Sequence, residues 1–305
     1  MVIVIGSNGQ LGTELLKACD RYGLGCVGLT HDDLDIALFG LAYDQAAEKL
    51  DRIAKDFTGP LTIINTAAYH DMAQCERNPG SSYLINSQAP VGLALWCKNW
   101  GARLAHISTD FCDGKPTDAS GLPLSVYAKT KLAGELGVLS VYPESLIVRV
   151  GTLYGVAGCR AKGGGNFVDT VVEKVKRQEP FTLPDYTCVL TAYAHDAAER
   201  IVRNLGATGV WYATDQCRGE SHYRLGCRIA ALLGLPNKIQ AISQDPNDTL
   251  RPHTTEVPIN GTGGTLTKYR RLETEKVTEP LYNYMVEKGY INAKTSGDYT
   301  LSTSH

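Results

Sequence analysis

The sequence predicts an α/β fold, a doubly wound parallel sheet with a smaller C-terminal lobe, and three observations carry that expectation. Short β-branched runs alternate with segments whose apolar residues recur at helical spacing, the first run ends on a tight set of glycines, and the alternation loosens beyond about residue 150. Strands linked through helices pair in parallel and place helices on both faces of the sheet.

Val2 to Ile5 is the first strand, and Leu11, Leu15, Leu16 and Cys19 then recur as the inner face of a helix. Gly25 to Thr30 reads as a second strand, Tyr43 to Phe57 as an amphipathic helix, Leu61 to Asn65 as a third strand and Ser82 to Trp100 as a helix. Leu104 to Ser108 is a fourth strand. A loop with glycine, proline and aspartate follows, then a helix from Ser125 to Leu139 and a strand from Ser145 to Val150. After the glycines at 163–165 come a helix from Phe167 to Arg177, short strands around Phe181 and Val210, and a helix from His222 to Leu235. Residues 1–150 therefore read as the sheet domain. Residues 151–291 read mainly as a second lobe with some segments returning to the sheet, and 292–305 as a polar, aperiodic tail expected to be poorly ordered.

Between the first strand and helix, Gly6 to Gly12 reads GSNGQLG. Glycine lets the backbone approach a pyrophosphate closely, and the helix N-terminus behind it offers free N–H groups and partial positive charge. In this strand-turn-helix context the turn predicts a Rossmann-type dinucleotide site built from Gly6, Asn8, Gly9, Gln10, Leu11 and Gly12. The second strand ends on Leu29 and Thr30, not on the acidic residue that grips a ribose 2′-hydroxyl, so NADP(H) is favoured over NAD(H). His31 is positioned to face a 2′-phosphate. Asp32, Asp33 and Asp35 follow, either binding the adenosine, with Asp35 foremost, or capping a turn.

Composition removes several alternatives. The 305 residues carry 30 basic and 32 acidic side chains, a net charge of -2 without long like-charge blocks, so a nucleic-acid or anionic-membrane partner is not expected. Apolar runs fall short of the roughly 20 residues a spanning helix needs, and the N-terminus enters its first strand with no export signal, so a cytoplasmic location is expected. The nine cysteines form no CxxC pair, which predicts neither a disulfide framework nor a zinc site. They read as small core residues.

Tyr127 and Lys131 form YxxxK, one turn apart on one helix face. A phenol is a poor acid or base near neutral pH unless a cation stabilises its phenolate, and Lys131 is expected to do so. Ser108, Thr109 and Asp110 follow the fourth strand, where strand C-termini form the ligand crevice. Thr109 is a candidate for binding a reacting oxygen, although serine, threonine and aspartate there also suit a turn or helix cap.

Glycine turn, hydroxyl after the fourth strand and YxxxK, in this order, resemble the extended short-chain dehydrogenase/reductase superfamily. The segments NTAAYHDMAQCERNP, LINSQAP, HISTDF, LPLSVYAKTKLAGE, RVGTLYG and RPH are similar, more narrowly, to the dTDP-4-dehydrorhamnose reductase (RmlD-like substrate-binding) family, from Met1 to about Leu272. The resemblance implies NADPH-dependent reduction of the C4 ketone of a nucleotide-diphospho-4-keto-6-deoxy sugar. Tyr127 would deliver the proton, Lys131 hold the nicotinamide ribose and lower the tyrosine pKa, and Thr109 steer the carbonyl. It implies that Ala67, Ala68 and Tyr69 line the cofactor with Asn86 nearby, and that Asp110, Thr152, Asn166, Thr191 and Arg251 meet the sugar nucleotide. A homodimer is compatible with it.

The sequence departs from the family pattern at His70 and Ala73, at Thr152 in place of a tryptophan bordering the sugar, at Cys112 and Asp113, and in a shorter loop before Tyr127. Glu14 matches a position that binds magnesium at a dimer contact in some members, but a first-turn glutamate is explained by the helix dipole and no metal site is expected. Two other readings stay open: a sugar-nucleotide epimerase, which returns its cofactor unchanged, and a non-catalytic NADP-binding regulatory subunit.

Overall fold

A computed structural model describes residues 1–113, 119–158, 163–215, 219–243 and 280–293, with the backbone alone at 270–271. Arg251 and positions 294–305 of the expected tail lie outside the described residues.

The first strand, β1 (Val2–Ile5), is buried along its whole length because helices cover both faces of the sheet. It is followed by α1 (Gln10–Arg21), β2 (Cys26–Leu29), the single turn α2 (Leu38–Leu41), α3 (Tyr43–Ala54) and β3 (Thr62–Asn65). Next come α4 (Met72–Arg77), α5 (Pro79–Tyr83), a π-helical turn at Leu84–Gln88, α6 (Ala89–Trp100) and β4 (Arg103–Thr109). The helix expected from Ser82 to Trp100 is thus divided by a π turn.

A 3-10 turn at Asp110–Asp113 leads toward α7 (Val126–Val141) and β5 (Leu146–Val150). The later chain forms β6 (Thr152–Tyr154), α8 (Phe167–Lys176), β7 (Phe181–Pro184), β8 (Cys188–Val189), β9 (Thr191–Tyr193) and α9 (Ala194–Arg203). It continues through β10 (Gly209–Ala213), β11 (Glu220–Ser221), α10 (His222–Leu233), β12 (Ile239–Ile242), β13 (Arg270–Arg271) and α11 (Pro280–Glu287).

Seven strands make one parallel sheet in the order β13-β10-β5-β4-β3-β1-β2. The chain moves outward from β1 to β2 and then crosses back to β3, so the topological switch lies between β1 and β3. An α/β sheet opens its ligand crevice at the strand C-termini there, and both the glycine turn and Ala67 follow those two strands. This is the doubly wound Rossmann-type fold the sequence predicts.

One face of the sheet packs Ile3, Ile5, Ile63 and Leu104 against α3 and α6. The other packs Val4, Ile64, Ile107 and Val148 against α1 and α9. A third core, Val168, Val171, Leu225, Ile229, Tyr284 and Met285, joins α8, α10 and α11 beside the sheet. Small strand pairs, β6 with β9 and β7 with β12, stitch this lobe together. Among the described residues no helix is long and apolar enough to cross a membrane.

Candidate active site

A cleft of about 640 Å³ runs over the C-terminal ends of β1, β3 and β4, between the sheet and the lobe. Gly6, Asn8, Gly9, Gln10, Leu11 and Gly12 line one end. Gly6 has φ +80°, and a Cβ there would lie 2.6 Å from Thr66 Oγ1. At Gly12 a Cβ would come within 2.2 Å of Gly6 O, so the turn closes only on glycine. Gly9 caps α1 without a side-chain hydrogen bond, which leaves the first N–H groups of the helix turned to the cleft. Bare backbone and an open helix N-terminus fit a dinucleotide pyrophosphate.

His31 and Asp32 line the cleft after β2. Asp33 instead accepts from the Thr30 N–H at 2.9 Å and the Thr30 hydroxyl at 2.8 Å. Asp35, expected at the cofactor, is not among the cleft-lining residues. Its Oδ1 accepts from the Ala37 N–H at 2.9 Å and lies 3.6 Å from His31 Nε2. The turn-capping alternative therefore describes Asp33 and Asp35, while His31 and Asp32 face the cleft.

Ala67 and Ala68 line the cleft after β3, but Tyr69 does not. The Tyr69 backbone is clipped at both ends by Asn86, which accepts from its N–H and donates to its carbonyl, each at 2.8 Å. Asn86 is fully buried in the π turn and also donates to Thr130 Oγ1 at 3.1 Å. Gly134 on α7 permits the approach, since a Cβ there would lie 2.2 Å from Asn86 O. The π turn thus fastens the loop after β3 to the helix that carries Tyr127.

Ser125 starts that helix by accepting from the Ala128 N–H at 3.2 Å. Thr109, Tyr127 and Lys131 then converge in the cleft. Phe111, which ends the HISTDF segment, packs edge-on against the Tyr127 ring with centroids 6.1 Å apart.

The expected lowering of the Tyr127 pKa by Lys131 is not met. Burial raises the phenol well above its usual range, nearby Cys112 adds to the rise, and the hydrogen bond with Thr109 opposes it. Lys131 donates to Ile107 O at 2.7 Å, into the sheet, and burial pushes its amine down to about 8. Tyr127 is therefore held as a phenol, the form that donates a proton.

On the lobe side, Asp110, Thr152 and Asn166 line the cleft, together with Leu153 and Phe167. Asp110 is fully buried, and burial pushes its carboxyl up to about 7 against hydrogen bonds from the Leu190 N–H and Thr109. Asn166 caps α8 in a reciprocal box with Asp169 and donates to Tyr284 Oη at 2.8 Å. Thr191 is buried off the cleft wall, donating to Asp215 Oδ2 at 3.0 Å. Thr152 is its register partner across β6 and β9, so Thr191 stands one strand behind the wall. Glu14 is the fifth residue of α1, not a first-turn residue, and its carboxylate accepts from Lys17 at 2.8 Å and lies 3.6 Å from His195.

Residues 1–279 match the family model described as the RmlD substrate binding domain. The chain belongs to this RmlD family. Among its relatives is a dTDP-4-dehydrorhamnose reductase of Mycobacterium tuberculosis, 36% identical over 164 residues, 50% of each chain. The chain thus spans about half the length of that curated relative. A dTDP-4-keto-6-deoxy-D-glucose reductase of Streptomyces niveus is 30% identical over 266 residues, covering 83% of this chain and 86% of the relative. Among solved structures, the dTDP-4-dehydrorhamnose reductase of Bacillus anthracis in complex with NADP shares the fold. Its TM-score is 0.74 at 22% identity, covering 94% of this chain and 97% of that one.

Proposed function

We propose that this RmlD-family chain is an oxidoreductase that reduces the C4 ketone of a nucleotide-diphospho-4-keto-6-deoxy sugar, with NADPH preferred to NADH. The observation that carries the reading is the convergence of Thr109, Tyr127 and Lys131 in the cleft that the glycine turn opens. The names of the relatives support the substrate class, and the NADP of the Bacillus anthracis structure supports the cofactor.

The glycine turn, His31, Ala67 and Ala68 would hold the dinucleotide, with His31 facing a 2′-phosphate. When bound, the reduced nicotinamide supplies a hydride to the ketone carbon. The chain's own residues do the rest. Thr109 Oγ1 orients the carbonyl oxygen by hydrogen bonding, and Tyr127 Oη gives that oxygen its proton as negative charge develops on it. A phenol is already protonated at neutral pH, and the raised value at Tyr127 keeps it so until that moment. Asp110, Thr152 and Asn166 bound the sugar side. A purely regulatory subunit has no use for a proton donor set beside the cofactor cleft, which weighs against that reading.

The test follows nicotinamide absorbance with NADPH and NADH separately, adding dTDP-, UDP- and GDP-linked 4-keto-6-deoxy sugars in turn. NADPH oxidation with the dTDP-linked sugar is expected. Tyr127→Phe should lose about 10²- to 10⁴-fold in rate while binding cofactor as before. Tight cofactor binding without reduction of any of these sugars would end the reductase reading, and a sugar isomerised without net cofactor oxidation would replace it with an epimerase.

A further inference from the structure

Directly behind Lys131 the protein buries a run of polar groups that proton delivery by Tyr127 does not use. Lys131 Nζ lies 3.4 Å from His106 Nε2, and His106 Nδ1 lies 3.2 Å from Asn65 Nδ2. The Ala67 N–H donates to Asn65 Oδ1 at 3.1 Å. Asn65 and His106 are fully buried and Lys131 is 1% exposed. Asn65 and His106 are register partners on β3 and β4, so the parallel ladder itself brings them together.

The donor and acceptor roles along this run are constrained. With its oxygen on the Ala67 N–H, the Asn65 amide turns its NH₂ toward His106 Nδ1. A neutral ring that accepts at Nδ1 carries its hydrogen on Nε2. That hydrogen points at Lys131 Nζ, where an ammonium has only donors to offer and an amine has a lone pair. Ile107 O accepts from Lys131 in either state.

We infer that His106 is a positioning residue for Lys131: its tautomer, set by Asn65, holds Nζ over the β4 backbone and favours the uncharged amine over the ammonium. The inference deepens the reductase reading and rests on it for Lys131 belonging to the reacting site. Other groups face Lys131 as well. Cys112, on the turn after β4, and Glu135, on α7, both favour the ammonium. Glu135 is itself paired with Arg149 at 2.6 Å. Tyr127 stands one turn away on α7, uncharged. Burial, and then Lys131 itself, hold His106 well below the usual histidine range, so the ring is neutral and its tautomer is what matters.

The experiment uses the full chain without cofactor or sugar, so its failure is separate from the failure of any turnover assay. In ¹⁵N-histidine-labelled protein, His106 should carry its hydrogen on Nε2 and stay neutral through the pH range in which Lys131 titrates. The Lys131 ¹³Cε resonance, assigned with Lys131→Met, gives its titration midpoint. His106→Leu removes the opposing hydrogen, and Asn65→Asp, nearly the same shape, has no donor and makes the ring present its lone pair to Lys131. Both should raise the midpoint, His106→Leu by about one pH unit, the size of one neutral hydrogen bond, and Asn65→Asp by more, because its carboxylate also favours the ammonium by charge. A hydrogen on Nδ1 in the unaltered protein would overturn the inference, and so would an unmoved or lowered midpoint in either folded variant.

Discussion

A methyl group at Gly12 would meet backbone, not a side chain that can swing aside, because the nearest atom is Gly6 O at 2.2 Å. Gly12→Ala must therefore push the glycine turn away from α1. We expect a loss of about 1–3 kcal/mol in chemical denaturation and at least tenfold weaker binding of NADPH by fluorescence titration. Unchanged affinity would mean the turn does not hold the pyrophosphate. Arg149 presents a different single-residue case. It is 2% exposed, forms three hydrogen bonds at 2.9, 3.2 and 2.6 Å to Glu135, also 2% exposed, pairs with the partly exposed carboxylate of Asp113, and donates to Tyr212 Oη at 3.2 Å. Arg149→Met strands the Glu135 carboxylate in the interior, at a cost of about 3–5 kcal/mol. The double variant Arg149→Met/Glu135→Leu removes that buried charge, leaves only the partly exposed Asp113 carboxylate, which still accepts from Tyr212 Oη, and should recover part of the loss, since an apolar pair replaces a buried ion pair at little cost. A double variant as unstable as the single one would show that the arginine matters through its other partners.

At the scale of elements, α1 and α9 pack side by side through charged as well as apolar residues. Burial works against the Glu14 carboxylate, but hydrogen bonds with His195 and Lys17 lower its pKa, and the Glu14 contact is the leading cause of a raised pKa at His195. A raised histidine adds stability below its unfolded pKa of about 6.5 and loses it as pH rises through the folded value; a lowered glutamate adds stability above about 4.5 and loses it on acidification. The pair therefore helps most between about pH 5 and 6.5. His195→Gln should lower Tm by a degree or two in that window, because the site is partly exposed, and by less at pH 8. A difference that grows with pH would reverse the assignment. Helix α9 carries little signal in the sequence: its buried side is Ala194, Ala197, Ala198, Ile201 and Val202 with the buried Arg200, too slight an apolar stripe to stand out among His195, Asp196 and Glu199. The alternation from β1 to β5 was legible because strands buried on both faces leave unbroken apolar runs. The π turn was not, since five residues are too few for periodicity to separate its pitch from an α-helix, and Gly134 that admits it lies 48 residues after Asn86. The site divides the same way. Glycine turn, Thr109, Tyr127 and Lys131 follow local spacing, whereas His106, Asn65 and Thr191 take their roles from partners on other strands.

Across the whole molecule, two cores sandwich the sheet while a third binds α8, α10 and α11 into a lobe, and Tyr284 joins that lobe to the cleft. Its hydroxyl accepts from Asn166 Nδ2 and donates to Asp169, the two residues of the capping box on α8. Asn166 also donates to Gly155 O at 3.4 Å, and Gln10 of the glycine turn donates to that same carbonyl at 3.5 Å. Gly155 O is thus the point where the lobe and the glycine turn meet. Tyr284→Phe keeps the ring that fills the core and removes only the hydroxyl, so the stability loss should be about 1–2 kcal/mol. Opening should concentrate in the lobe: amides of α8 and α11 exchange faster, while those of β1, β3 and β4, buried in the separate sheet cores, keep their protection. With Asn166 less firmly held, KM for the keto sugar should rise several-fold and NADPH affinity should stay near its original value. Equal acceleration of exchange in the sheet would show instead that lobe and sheet open as one unit, and that the sugar side of the cleft has no stability of its own to lose.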